Sequence, residues 1–205
     1  MRVFVDLDGV LVNFNKTFAP AYGLIYPDNQ ILGKRWIFNN SEMSLRQWLE
    51  VMRLNTHRYE NAEPVKYLAD LISILDDVAP GWSILSEVLN FPDCWSGKIH
   101  WVQKYLGRDM VQRTILTGCS ASEYGTKAVL CASGDVLIDD CQITIDKWRL
   151  KQGVGFFWTE YTNVFESKAV HNQLHTLREF LKLYVAKPRP GKSKQALTSG
   201  WKPVG

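Results

Sequence analysis

The sequence predicts an α/β fold: a Rossmann-like parallel sheet with helices on both faces and a small helical segment inserted after the first strand. Three observations predict it. Short apolar, β-branched runs alternate with amphipathic stretches of helical period, the pattern of parallel strands joined by helical crossovers. Two of those runs, Val3-Phe4-Val5 and Val136-Leu137-Ile138, end abruptly in carboxylates, Asp6-Leu7-Asp8-Gly9 and Asp139-Asp140. Between residues 13 and 62 the composition shifts to aromatic-rich, loop-broken sequence.

Residues 2–6 read as the first strand, apolar throughout and therefore covered on both faces. Side chains alternate along a strand, so an Asp-x-Asp pair at its end is placed on one face. Gly9 permits the chain to bend just beyond. The following segment carries Phe14, Phe18, Tyr22, Tyr26, Trp36, Phe38, Trp48 and Tyr59. Within it, Ser44 ahead of Leu45, Trp48, Leu49 and Met52 reads as a capped amphipathic helix. Pro64 to Asp77 places Val65, Leu68, Leu71, Ile72 and Leu75 at helical spacing. Pro80-Gly81 breaks the chain, and Trp82 to Ser86 is a short strand ending in a hydroxyl. Gly97 to Leu106 is helical with Gly107 as its stop. Arg113–Leu116, Asp135–Asp140 and Gly153–Trp158 are the third, fourth and fifth strands, and His171–Tyr184 is a closing helix. The division that follows is a core of 1–12 and 63–185, a helical cap of 13–62 and a disordered basic tail of 186–205.

The chain has 205 residues, 46% of them hydrophobic and 12% aromatic, enough to bury a sizeable core and too apolar for disorder. No apolar run approaches the roughly 20 residues that span a bilayer. Asp6 and Asp8 break the only N-terminal apolar run, so no signal peptide is read there and a cytoplasmic setting is expected. Cys94, Cys119, Cys131 and Cys141 form no C-x-x-C pair or zinc spacing and read as reduced thiols. His171 and His175 share a helix face without an acidic or cysteine partner and read as a surface pair. The net charge of +3 is a property of the tail. Taking Lys187, Arg189, Lys192, Lys194 and Lys202 from the 24 basic residues leaves 19 against 21 acidic ones. A solvated tail explains it more simply than contact with nucleic acid.

Either acidic strand end alone reads equally well as a turn. Two of them on buried strands are hard to explain structurally, because unpaired buried charge is costly. A shared Mg²⁺, bound through oxygen ligands, explains both, and Mg²⁺ held by few carboxylates serves phosphate chemistry. Phosphate needs donors as well. Ser86 supplies a hydroxyl at another strand end. Lys127, in Tyr124-Gly125-Thr126-Lys127, supplies a cation ahead of Asp139, with Lys98 as the fallback.

Taken in order, Asp6-x-Asp8-Gly9-Val10, Ser86 after an apolar strand, Lys127 and Gly134–Asp140 resemble the four motifs of the haloacid dehalogenase superfamily of phosphotransferases. More narrowly, residues 6–14, Lys98–Gly107, Arg113–Thr117 and Gly134–Asp140 resemble the 5'(3')-deoxyribonucleotidase branch. The resemblance covers residues 1 to about 180. It implies Asp6 as a nucleophile forming an aspartyl-phosphate and Asp8 as acid and then base. It implies Ser86 and Lys127 as phosphate donors, and Mg²⁺ held by Asp6, the Asp8 carbonyl and Asp140, with Asp139 acting through water or orienting Lys127. The chain departs from the branch in having Glu87 after Ser86, a repulsive neighbour for phosphate unless it turns away, and in a longer stretch between Thr117 and Lys127.

The expected activity is dephosphorylation of nucleoside monophosphates, with Phe14, Phe18, Trp36 and Phe38 as the cap rings that stack on a base. The alternatives are a phosphatase of the same superfamily with another small ester, and a non-enzymatic module that binds nucleic acid or a partner through the tail. The partner expected is a small nucleotide, with no membrane and a homodimer left open.

Overall fold

The computed structural model describes residues 1–18, 21, 45–119, 125–159 and 168–185. Five parallel strands form one sheet: β1 (Val3–Val5), β2 (Ser83–Leu89), β3 (Thr114–Cys119), β4 (Val136–Asp139) and β5 (Val154–Phe157). Their order is β3-β2-β1-β4-β5, so β1 is central and the chain reverses direction across it. Register pairs Val5 with Ile84 on one side and with Ile138 on the other. In open α/β sheets, ligands bind beyond the strand carboxyl ends at such a reversal.

Alternation along the strands divides the core. Val3, Val5, Ile84, Val136 and Ile138 join a cluster with Leu71 and Leu75 of α3 (Leu68–Val78), Trp101 and Val102 of α4 (Pro92–Leu106), and Leu174, Leu177 and Leu181 of α7 (Lys168–Val185). Phe4, Leu85 and Leu137 face the other way, onto Ile145 and Trp148 of α6 (Gln142–Leu150). Both faces are therefore covered, and the all-apolar strands follow from that. The buried indoles keep their N–H groups satisfied: Trp148 donates to Asp135 O at 2.9 Å, Trp101 to Ala62 O at 2.9 Å and Trp158 to Tyr67 Oη at 3.2 Å. Asp135 receives Arg2 N at 2.8 Å and Arg2 Nε at 2.9 Å, which anchors the start of β1 to β4. Burial works against the Asp135 charge, but these bonds hold its carboxyl below the usual range.

Between β1 and α3 lie α1 (Phe14–Phe18), α2 (Leu45–Asn55) and a 3-10 helix (Thr56–Asn61). Several boundaries differ from expectation. The helix expected from Pro64 begins at Leu68, because the preceding residues are tied to the turn after β1: Val65 N donates to Leu11 O at 3.0 Å and Val12 bridges Pro64. The strand expected to end at Ser86 continues to Leu89, since Glu87–Leu89 pair with Thr117–Cys119. The helix expected from Gly97 starts at Pro92, where proline's missing N–H costs nothing in the first turn. Three short elements were not anticipated: α5 (Arg108–Gln112), the 3-10 helix Thr126–Leu130, and α6, whose Ile and Thr content masks its helical period. Ser44 and residues 186–205 lie outside the described residues. Among the described residues, no helix is long and apolar enough to cross a membrane.

Candidate active site

The ends of β1 and β4 meet because the strands are neighbours, and Asp6 N continues the ladder by donating to Ile138 O at 2.9 Å. Asp6 and Asp139 are buried. Lys127, from the 3-10 helix Thr126–Leu130, lies between them, with Nζ 2.6 Å from Asp6 Oδ1 and 2.7 Å from Asp139 Oδ2. The Leu7 and Cys141 amides also donate, to Asp6 Oδ1 at 2.7 Å and Asp139 Oδ1 at 2.8 Å. Asp140 closes the group from the side. Gly9, at φ +73°, lies so near its carboxylate that a Cβ there would overlap it. Glycine is thus required at residue 9 both by backbone conformation and by space.

One carboxylate oxygen from each of Asp6, Asp139 and Asp140 lies within 4.8 Å of the others. Burial disfavours the Lys127 charge, but Asp139, Asp6 and Glu87 outweigh it and lift its pKa above lysine's usual value. Burial pushes Asp139 up to about 7 against the pull of Lys127, with Asp6 adding to the rise. Three clustered carboxylates against one ammonium leave negative charge to be offset, and an all-oxygen donor set suits a hard divalent cation such as Mg²⁺.

Asp8 belongs to a different arrangement. β1 ends at Val5, so strand alternation no longer governs residue 8, which sits in a turn closed by Leu11 N and Val12 N donating to Leu7 O. The expectation that Asp6 and Asp8 share one face is corrected accordingly: they take different lysines. Lys98, buried on α4, places Nζ 2.7 Å from Asp8 Oδ2, 3.0 Å from Ser86 Oγ and 2.7 Å from Glu87 O. Tyr59 Oη donates to the same Asp8 Oδ2 at 3.0 Å. Asp8 Oδ1 is buried and has no hydrogen-bond partner among the described residues. Burial raises the Asp8 pKa against Lys98, and Asp6 raises it further. Burial disfavours the Lys98 charge too, yet Asp8, Cys94 and Asp6 lift its pKa overall.

No family model matches the chain. A Bordetella pertussis protein provisionally named 5'(3')-deoxyribonucleotidase is 29% identical over 148 residues, 68% of this chain and 74% of its own length. The human cytosolic-type 5'(3')-deoxyribonucleotidase is 25% identical over 150 residues, 68% of this chain and 70% of its own. A solved haloacid dehalogenase family enzyme from Bacteroides thetaiotaomicron, in a magnesium complex, aligns over 81% of this chain and 98% of its own at TM-score 0.41 and 11% identity. The curated relatives join the motif order and the sheet topology in pointing one way. The chain is thus similar, over about two thirds of its length, to proteins that bear the name 5'(3')-deoxyribonucleotidase.

All six expected motif residues, Asp6, Asp8, Ser86, Lys127, Asp139 and Asp140, gather around the carboxyl ends of β1 and β4, Ser86 reaching in from within β2. Ser86 and Glu87 point to opposite faces, as neighbours in a strand must. Ser86 reaches Lys98, while the Glu87 carboxylate accepts from Thr126 Oγ1 at 3.0 Å and Lys127 N at 3.3 Å. It thereby anchors the start of the helix that carries Lys127. Lys98 is no substitute for Lys127 but a second lysine with its own carboxylate. A spacing signal existed for it: Cys94, Lys98 and Trp101 recur on one buried face of α4. Of the aromatic candidates, Phe14 and Phe18 are buried and stack on Tyr59 at centroid distances of 6.2 and 4.9 Å. Trp36 and Phe38 lie outside the described residues.

Proposed function

We propose that the chain is a Mg²⁺-dependent phosphomonoester hydrolase that dephosphorylates nucleoside monophosphates through an aspartyl-phosphate on Asp6. The observation that carries this reading is the gathering of Asp6, Asp139 and Asp140 around one buried lysine, with a separately held carboxylate, Asp8, beside them. Asp6, Asp139, Asp140 and the Asp8 carbonyl would hold Mg²⁺, which when bound offsets the repulsion between a carboxylate and an anionic phosphate.

The chain's own groups supply the rest. The Asp6 carboxylate attacks phosphorus, and the bond from phosphorus to the ester oxygen breaks. Asp8, protonated, gives its proton to that departing oxygen. Asp8 then takes a proton from water as the water oxygen attacks phosphorus, which releases inorganic phosphate and restores the Asp6 carboxylate. Lys127 and Ser86 hold phosphoryl oxygens as charge builds on them. Asp139 orients Lys127 through its 2.7 Å bond.

The nucleotide reading is supported by the names of the curated relatives and by the aromatic cluster of Phe14, Phe18 and Tyr59, which begins at the Asp8 carboxylate. The residues between β1 and α3 serve as a cap in this reading, with 1–12 and 63–185 as the core. The test is a panel of nucleoside monophosphates and sugar phosphates assayed with and without Mg²⁺. Nucleotide turnover that requires Mg²⁺ is expected; a clear preference for sugar phosphates would overturn the substrate assignment and leave the reaction standing.

A further inference from the structure

We propose that Tyr59 is a positioning residue for the acid–base carboxylate: with Lys98 it fixes Asp8 Oδ2, so that Oδ1 alone is presented to the leaving group. The inference rests on the phosphomonoesterase reading above and deepens it. Two donors converge on one oxygen, Lys98 Nζ at 2.7 Å and Tyr59 Oη at 3.0 Å. A carboxylate held at one oxygen by a single donor keeps freedom to rotate; two donors from different directions remove it. The other oxygen is buried and has no hydrogen-bond partner among the described residues. Folded proteins rarely leave a buried carboxylate oxygen so, and a proton-transfer step gives this one a use.

Tyr59 contacts both members of the ion pair. Its hydroxyl meets the anion, and its ring lies with the Lys98 ammonium 4.9 Å from the centroid. The residue is 51 positions from Asp8 in sequence and comes from the 3-10 helix Thr56–Asn61. That helix is fastened to the core where Trp101 Nε1 donates to Ala62 O at 2.9 Å, one α4 turn from Lys98. Phe18 and Phe14 brace the ring from behind. Proper seating of the segment between β1 and α3 is therefore what completes the Asp8 geometry.

The test is Tyr59→Phe, which removes the hydroxyl and keeps the ring. Two esters are compared by kcat/KM, which covers the steps through leaving-group departure. A nucleoside monophosphate has an alkoxide leaving group that needs a proton; p-nitrophenyl phosphate has one that departs as a stable anion. The expected result is a loss of about tenfold for the nucleotide, a part of what general acid catalysis supplies, with the aryl ester within about twofold of wild type. Equal losses on both esters, or no loss on either, overturn the proposal. If Tyr59→Phe does not fold, 3-fluorotyrosine at residue 59 carries the test. Its more acidic hydroxyl is expected to change kcat/KM for the nucleotide alone, and an unchanged or uniform response overturns the proposal. Failure of the underlying reading looks different, since wild type itself would then hydrolyse neither ester.

Discussion

On one face of the sheet, Lys127 serves Asp6 and Asp139 while Asp140 presses on Gly9; on the other, Lys98 serves Asp8 alone, with Ser86, Glu87 O and Tyr59 completing the set. The two lysines are alike in burial, yet their surroundings differ in charge. The Lys127 side carries an excess of carboxylates that calls for a further cation. The Lys98 side is balanced one against one, and its remaining oxygen has no hydrogen-bond partner among the described residues. The first arrangement suits a nucleophile that must approach an anion, the second an acid that must hand over a proton. Two carboxylates two residues apart, one just past the end of β1 and one in the turn beyond it, are thus given separate chemistry by different lysines.

The sharpest break of this comparison is Asp6→Asn. Turnover is expected to fall on the order of 10³-fold or more, since the covalent step is lost, while far-UV circular dichroism stays that of wild type. Near-wild-type activity with Mg²⁺ would remove Asp6 as nucleophile. Next come the two lysines, compared by urea unfolding. Lys127→Met strands several buried carboxylates and is expected to cost about 3–5 kcal/mol. Lys98→Met strands one carboxylate that still accepts from Tyr59, and is expected to cost about 1–3 kcal/mol. Mg²⁺ should restore stability to the Lys127 variant and not to the Lys98 variant; equal recovery would sink the distinction between the faces. Gly9→Ala follows. A Cβ there collides with the Asp140 carboxylate at an unfavourable positive φ, and a loss of about 1–3 kcal/mol is expected. The same variant should show a smaller rise in Tm on adding Mg²⁺ than wild type does.

The sequence exposed these two faces unequally. The Lys127 face was legible because its carboxylates end apolar strands, where burial makes a charge conspicuous, and because Lys127 precedes Asp139 in the expected order. The sheet was legible for a related reason: strands covered on both faces are written as unbroken apolar runs. The Lys98 face was nearly hidden. A lysine on a helix ordinarily reads as solvated, and only its spacing from Cys94 and Trp101 marks it as inward. Tyr59 carries no periodic signal, since it stands in a 3-10 helix of six residues among other aromatics. Its partnership with Asp8 depends on tertiary packing across 51 residues, which local pattern cannot express. Glu87 looked repulsive in sequence, and strand alternation resolves it by sending its carboxylate to Thr126.

The gentlest probe of the comparison is pH. The folded pKa of Asp139 is pushed up to about 7 by burial, above the unfolded carboxylate value near 4. Between these values the folded state holds more protons than the unfolded one, so stability falls as pH rises from about 4 to about 7 and levels off beyond. Burial raises Asp8 as well, so it contributes in the same direction. Asp135, whose pKa is lowered, acts only at the acid end, below the ordinary carboxylate value, and leaves this window undisturbed. With chelator present, wild-type Tm is expected to drop by about 5–10 °C between pH 5 and pH 7.5, a change of roughly 2–3 kcal/mol for a chain of this size. Asp139→Asn should remove the larger part of that slope, because Asp139 has lost its titration while Lys127 keeps Asp6. An Asp139→Asn profile as steep as wild type would place the titrating charge on the Asp8 face instead, and the two faces would exchange roles in setting the acid limb.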